Sequence, residues 1–271
     1  MTYILLILIA VAGVFYYDTL RWLIDSWLYN PYYTHGFLVP VVSGYIIWNM
    51  RQELAGIEKK QSMEGLVLFV SGIILHSIGA NWTAPSISGI SLIATISGAI
   101  LFLFGWEFIK KIKFPLLFLL FMIPIPFVDT AAPPIQTGSA ILSSNLANIF
   151  GIPVERDGLQ LILPAGTFEV GLECSGLRSI ISLLTIAAIY AFILEGGMLM
   201  RSIIVISAIP LALVANVIRI TSVLAIANAY DQETAINFFH DFSSLLLFSV
   251  ALVGLFLVGR CFGRLRFKRI F

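Results

Sequence analysis

Cys174 lies in Glu173-Cys174-Ser175-Gly176-Leu177-Arg178, at the threshold of an apolar run. A thiol just before a helix feels that helix's unsatisfied N–H groups, which lower its pKa, as does a nearby cation. Arg178, one helical turn on, either supplies that cation or snorkels to lipid headgroups. Glu173 acts in the opposite direction. Further along, Asn216 and Arg219 stand three apart on one helix face inside the apolar run Leu213–Ile220. An arginine inside such a run is costly, so it either reaches headgroups or serves a site. His240, next to Asp241, is either a general acid/base or an ordinary solvated or structural histidine at a helix start. Together the three groups can do acyl transfer. A thiolate attacks an amide carbonyl. An imidazole gives a proton to the leaving amine and takes one from the incoming nucleophile. A fixed guanidinium holds the oxyanion.

Such a site needs elements that bring distant residues together. The chain has 271 residues, of which 59% are hydrophobic and 11% charged, with a formal net charge of +1. A soluble domain is nearer half apolar and a quarter charged. Sixteen basic and fifteen acidic residues cannot clothe a core of this size. A soluble enzyme, a disordered chain and a basic-faced nucleic-acid binder are therefore excluded, and an all-α polytopic membrane protein remains. Eight helical spans are expected, over Tyr3–Tyr17, Phe37–Met50, Gly65–Asn81, Ile87–Trp106, Phe114–Val128, Leu177–Leu194, Ser202–Ala225 and Ser243–Val258. The second and fifth are short, either extended by their flanks or partly re-entrant.

Charge orients them. Twelve of the sixteen basic residues follow spans two, four, six and eight. They run from Arg51 through Lys110 and Arg201 to the tail at about 259–271, and that face should be cytoplasmic. Both termini then lie inside, and span one is expected to be retained as a helix. Cys174, Arg219 and His240 fall at the opposite face, on spans six, seven and eight. No repeat divides the chain, so residues 1–271 are expected to form one membrane domain.

The external insert, about 129–173, opens with Pro124, Pro126, Pro133 and Pro134. Ile135–Phe150 is too polar to span and is expected to lie as an amphipathic helix at the outer interface. Asp157-Gly158 is a hairpin signal. Leu159–Leu163 and Thr167–Leu172 flank the turn Pro164-Ala165-Gly166 as strands, so a small β-meander should lead into Cys174. The other cysteine, Cys261, lies a membrane thickness away and cannot pair with Cys174 in one chain. The external thiol is then incidental, linked to another chain, or reactive. His76 sits in an apolar face as a packing residue. His35, in Tyr33-Thr34-His35-Gly36-Phe37, could support the site or touch substrate. Three histidines on different helices with no paired ligand spacing argue against a metal, and no cofactor is expected.

These residues resemble the exosortase/archaeosortase membrane transpeptidases. The resemblance is carried by Glu173-Cys174-Ser175-Gly176-Leu177-Arg178-Ser179, by Asn216-Val217-Ile218-Arg219 and by His240 before the last span. Thr34-His35-Gly36-Phe37-Leu38-Val39-Pro40 and the hairpin Gly158–Gly166 look like the bacterial exosortase branch. One departure is Ser244, where bacterial members tend to have glycine four residues after the histidine. The resemblance implies cleavage of a C-terminal sorting signal: a Pro-Glu-Pro-like motif, a transmembrane helix and a basic cluster. The exported protein would pass through a thioacyl intermediate to a lipid or polysaccharide acceptor, or to water. It implies Cys174 as nucleophile, His240 as general acid/base and Arg219 as oxyanion stabiliser, with Ser175 and Asn216 as neighbours of the site. Arg178, Arg219 or Arg156 could hold the motif's acidic residue. The expected partners are exported substrate proteins and membrane lipids, with no nucleic acid. The expected setting is the inner or plasma membrane, with the site on the periplasmic face. The competing reading is a transporter or lipid flippase with Arg219, Asn216 and His35 along a polar path. Against it, there is no repeat and the polar residues gather outside the midplane.

Overall fold

A computed structural model of the chain describes residues 13–171 and 176–262. Cys174, Ser175, most of the expected first span and the end of the basic tail lie outside the described residues. The rest is mostly helical, with one small sheet, and groups into two compact units that meet in sequence between Ile125 and Pro126.

The first unit contains α1 (Tyr17–Tyr29), α2 (Leu38–Asn49), α3 (Arg51–Ala55), α4 (Met63–Asn81), α5 (Pro85–Phe104) and α6 (Trp106–Phe118). The helix α1 was not expected; it occupies what reads in sequence as a loop. Its heart is the α4–α5 hairpin. Gly65, Gly72 and Gly79 recur every seven residues on α4, and a Cβ on any of them would strike Phe102, Thr95 or Ser88 of α5. Small residues at this spacing let two helix backbones approach closely, which is how helices associate where water supplies no driving force. Buried hydroxyls tie α5 to the residue preceding α1: Tyr16 Oη lies 2.8 Å from Thr95 Oγ1 and accepts from Ser91 Oγ at 3.2 Å. His76 packs beside them, its ring 4.2 Å from that of Tyr16 and 4.7 Å from that of Phe15. This is the packing role its apolar surroundings indicate.

The expected fifth span, Phe114–Val128, is not one helix. α6 tightens into a 3₁₀ turn over Leu119–Met122, and Ile123 is extended at φ −92°, ψ 120°. The physical cause is Pro124, which pushes the residue before it out of the helical region. Side chains take up the freed backbone groups. Trp27 Nε1 donates to Met122 O at 2.9 Å, and Ile125 N donates to Tyr33 Oη at 2.9 Å.

The second unit runs α7 (Phe127–Ile149), β1 (Glu155–Asp157), β2 (Gln160–Leu163), β3 (Gly166–Glu169), α8 (Leu177–Ile193), α9 (Met198–Ala229), α10 (Gln232–Asp241) and α11 (Ser243–Phe262). The expected meander is present as an antiparallel sheet in the order β1-β2-β3. Pairing of Asp157 with Gln160 leaves Gly158-Leu159 as the turn, with Gly158 at φ +59°. The glycine is thus the first turn residue rather than the second, as a type II′ hairpin requires. Leu161 and Leu163 of β2 are buried against Ala140 and Ala147 of α7 and Ile220 and Leu224 of α9. The side chain of Asn148 imitates a strand neighbour, bonding both the N–H and the carbonyl of Val154.

α7 differs from expectation in extent. It begins eight residues before Ile135, at Phe127, and runs through Pro133 and Pro134. Its buried face is the small and polar one: Ala132, Gln136, Ser139, Ala140, Ser143 and Ala147. Leu142 and Ile149 are exposed instead. The exposed face is mixed, carrying Thr130, Thr137 and Asn145 beside those two.

Among the described residues, four helices are long and apolar enough to cross a membrane: α4, α5, α9 and α11. Two shorter apolar ones, α2 and α8, accompany them. Each overlaps one expected span; α2 and α8 lie inside theirs, whereas α4, α5, α9 and α11 run past theirs by two to four residues.

Candidate functional site

The chain enters the site from the sheet. After β3, Val170 is buried and its carbonyl accepts a hydrogen bond from Gln136 Nε2 of α7. It emerges at Gly176, which caps α8 at φ +80°, ψ −5°. A side chain in this left-handed region costs an ordinary residue about 1–2 kcal/mol. Space matters as well. A Cβ on Gly176 would lie 3.1 Å from Asn216 Cγ and Nδ2 and 3.2 Å from Asn216 Cβ. The backbone two residues beyond Cys174 therefore rests on the Asn216 side chain. Nothing is described of Cys174 and Ser175 themselves, but the chain on one side of them is fixed there.

Asn216 is fully buried, and its Nδ2 donates to Ser139 Oγ of α7 at 3.1 Å. α7, α8 and α9 thus meet at one amide side chain. One turn further, Arg219 is 6% exposed, an arginine enclosed in the protein rather than spread into headgroups. Below and beside it, Ser143 Oγ donates to Val217 O and Thr221 Oγ1 to Ser143 O, each at 3.5 Å. The polar stripe of α7 therefore faces the polar face of α9. Ser139 escaped sequence reasoning. Its signal was the recurrence of Gln136, Ser139 and Ser143 at helical spacing within the segment judged too polar to span.

His240 belongs to the last turn of α10, an element the sequence reading did not separate from span eight. Asp231 caps it, Oδ1 accepting from Thr234 N at 2.7 Å. That bond from the backbone, aided by the Thr234 side chain, holds the Asp231 carboxyl below its usual range. Gln232 reaches the sheet, its Nε2 3.5 Å from Thr167 O. Ala235 packs with Val223 and Ala227 of α9, and Phe168 of β3 joins them. Val223 is one turn from Arg219. The histidine's backbone is thus carried by a helix docked on the same end of α9.

Of the remaining candidates, two are exposed on the second unit and one belongs to the first unit. Arg178 is exposed on the first turn of α8. Arg156 is exposed on β1 and donates to Gly158 O at 3.0 Å, within its own hairpin. His35 lies in the first unit, where its ring stacks with Tyr33 at 6.2 Å and burial lowers its pKa. No group of three or more His, Cys, Asp or Glu that could hold a metal occurs among the described residues.

No individual curated protein and no solved structure matches the chain. The family model of the transmembrane exosortases matches residues 27–257, from within α1 to the last turns of α11. That span takes in the cysteine turn, Asn216, Arg219 and His240, and on it the chain belongs to the transmembrane exosortase family.

Proposed function

We propose that the protein is a membrane cysteine transpeptidase that cuts the C-terminal sorting signal of exported proteins and transfers them to an envelope acceptor. The observation that carries this reading is the seating of Gly176 on Asn216, one turn from the enclosed Arg219, in a chain of the exosortase family.

In this reading the Cys174 thiolate attacks the carbonyl carbon of the scissile amide, and the resulting oxyanion is held by Arg219. The C–N bond breaks as His240 gives its proton to the departing amine, leaving a thioester on Cys174. His240 then takes a proton from water, a lipid amine or a polysaccharide hydroxyl. That nucleophile displaces the thiolate and forms the new acyl bond. Asn216 and Ser175 position the turn. Arg178 or Arg156 meets the acidic residue of a Pro-Glu-Pro-like motif, and His35 is a supporting contact. The chain crosses the inner membrane eight times, with both termini cytoplasmic and the site on the periplasmic face.

Coexpression with a substrate ending in motif, helix and basic cluster tests the reading. Cys174→Ala and Cys174→Ser should abolish processing while the protein remains folded in the membrane, and Cys261→Ser should process normally. Normal processing by Cys174→Ala would overturn it.

A further inference from the structure

The first unit carries a groove of about 310 Å³ between α2, α3, α5 and α6. Its floor is apolar: Ile47, Leu54, Phe104 and Phe108 line it. Gly44 opens it further, since nothing lies within 4 Å of where a Cβ would stand. Beside it runs an exposed apolar strip of α2, Val41, Tyr45 and Trp48.

Two cations stand at its mouth. The Arg51 guanidinium lies 4.9 Å from the Trp48 ring centroid and donates to Trp48 O at 3.0 Å. Lys59 Nζ lies 5.4 Å from the Phe104 ring centroid. The cations around them are neutralised. Lys60 pairs with Glu58 at 3.0 Å, Lys111 with Glu53 at 3.2 Å and Lys110 with Glu107 at 2.8 Å. Arg51 and Lys59 have no carboxylate partner among the described residues. Each is held over a ring instead, an arrangement that orients a cation without cancelling its charge.

We propose that this groove binds an anionic phospholipid, with the phosphate between Arg51 and Lys59 and one acyl chain along Gly44, Ile47 and Phe108. An apolar floor has no use for a soluble anion, and two uncompensated cations have none for a neutral lipid. The groove satisfies both halves of one amphiphile. It also lies where α2 and the membrane-length α5 end and the basic residues begin, the level at which lipid headgroups meet protein.

The test uses the purified full chain in mixed micelles and follows quenching of Trp48 by acyl-brominated lipid, with Trp48→Phe subtracted to remove the other tryptophans. Brominated phosphatidylglycerol should quench at a far lower mole fraction than brominated phosphatidylcholine. A surface cation favours an anionic lipid roughly fivefold, so the pair should give a preference of roughly twenty-five-fold. Arg51→Gln with Lys59→Gln should erase the preference. Gly44→Leu, which leaves both charges in place, should weaken quenching by both lipids. Neutralising Arg264, Arg266, Lys268 and Arg269 should leave the preference intact. A preference that survives the double substitution, or disappears on neutralising the tail alone, overturns the site. Inorganic phosphate that abolishes the preference assigns the cations to a soluble anion and overturns the lipid.

Discussion

At the scale of single residues, enclosure separates the arginines. Arg156 and Arg178 are exposed, whereas Arg219 is 6% exposed and follows a fully buried asparagine by one turn. Desolvation makes an enclosed guanidinium effective against a developing oxyanion and makes its planar fork hard to replace. Arg219→Lys should therefore lower processing roughly a hundredfold, the usual cost of losing one such donor. Substrate capture by crosslinking should be little changed. A variant that processes at the normal rate removes Arg219 from the chemistry. Gly176 makes the second residue-scale prediction. Its φ of +80° strains any other residue, and a methyl group there would make Asn216 give way by a few tenths of an ångström. Gly176→Ala should slow both processing and alkylation of Cys174 by a thiol reagent, while the protein stays folded. If both rates hold, the turn is not held by Asn216. Much of this was legible in sequence, because cysteine, histidine and an arginine inside an apolar run are rare in so apolar a chain. Ser139 was not, because serine is common in membrane helices and spacing alone does not say which way a hydroxyl faces.

At the scale of elements, the legible and illegible parts divide by what surrounds each one. The meander was legible because Asp-Gly and Pro-Ala-Gly turns act locally, whatever packs on the strands. The break at Ile123–Pro126 was visible as prolines but reads as part of a span, because the apolar residues around it continue without change. α10 was the clearest omission. Asp231 followed by Glu233 in the first turn is an ordinary helix start, hidden by proximity to span eight. That cap makes a pH prediction. Accepting the Thr234 N–H favours the ionised carboxylate, so the folded pKa lies below the unfolded value of 3.8. The stabilisation is complete above 3.8 and is lost as pH falls through the lower folded value. Asp231→Asn keeps an acceptor without the titration, so amide exchange in α10 should lose its acid dependence between those values. An unchanged acid dependence would place the titrating group elsewhere.

At the scale of the whole molecule, the length of α9 ties the site to a membrane level. Its 32 residues span about 48 Å at 1.5 Å per residue, against a hydrocarbon core of about 30 Å. A helix this long must project from the bilayer. Arg201 and Arg219 are separated by about 27 Å on the same reckoning, close to the thickness of the core. On the proposed orientation, which puts Arg201 at the cytoplasmic boundary, Arg219 would fall at the opposite boundary, with the segment from Val223 to Ala229 beyond it. That projecting segment is the part against which the sheet and α10 pack. Sheet edges and loops are excluded from hydrocarbon, so elements docked there must be outside it. Cys174 follows the same sheet in sequence, while Cys261 is exposed near the end of α11. An impermeant maleimide applied to intact spheroplasts should therefore label Cys174 and spare Cys261. In inverted vesicles the pattern should reverse. The single-cysteine variants Cys174→Ser and Cys261→Ser identify which residue carries the label. Labelling of Cys261 alone in spheroplasts would reverse the orientation of α9, carrying Arg219 and the cysteine turn to the cytoplasmic side.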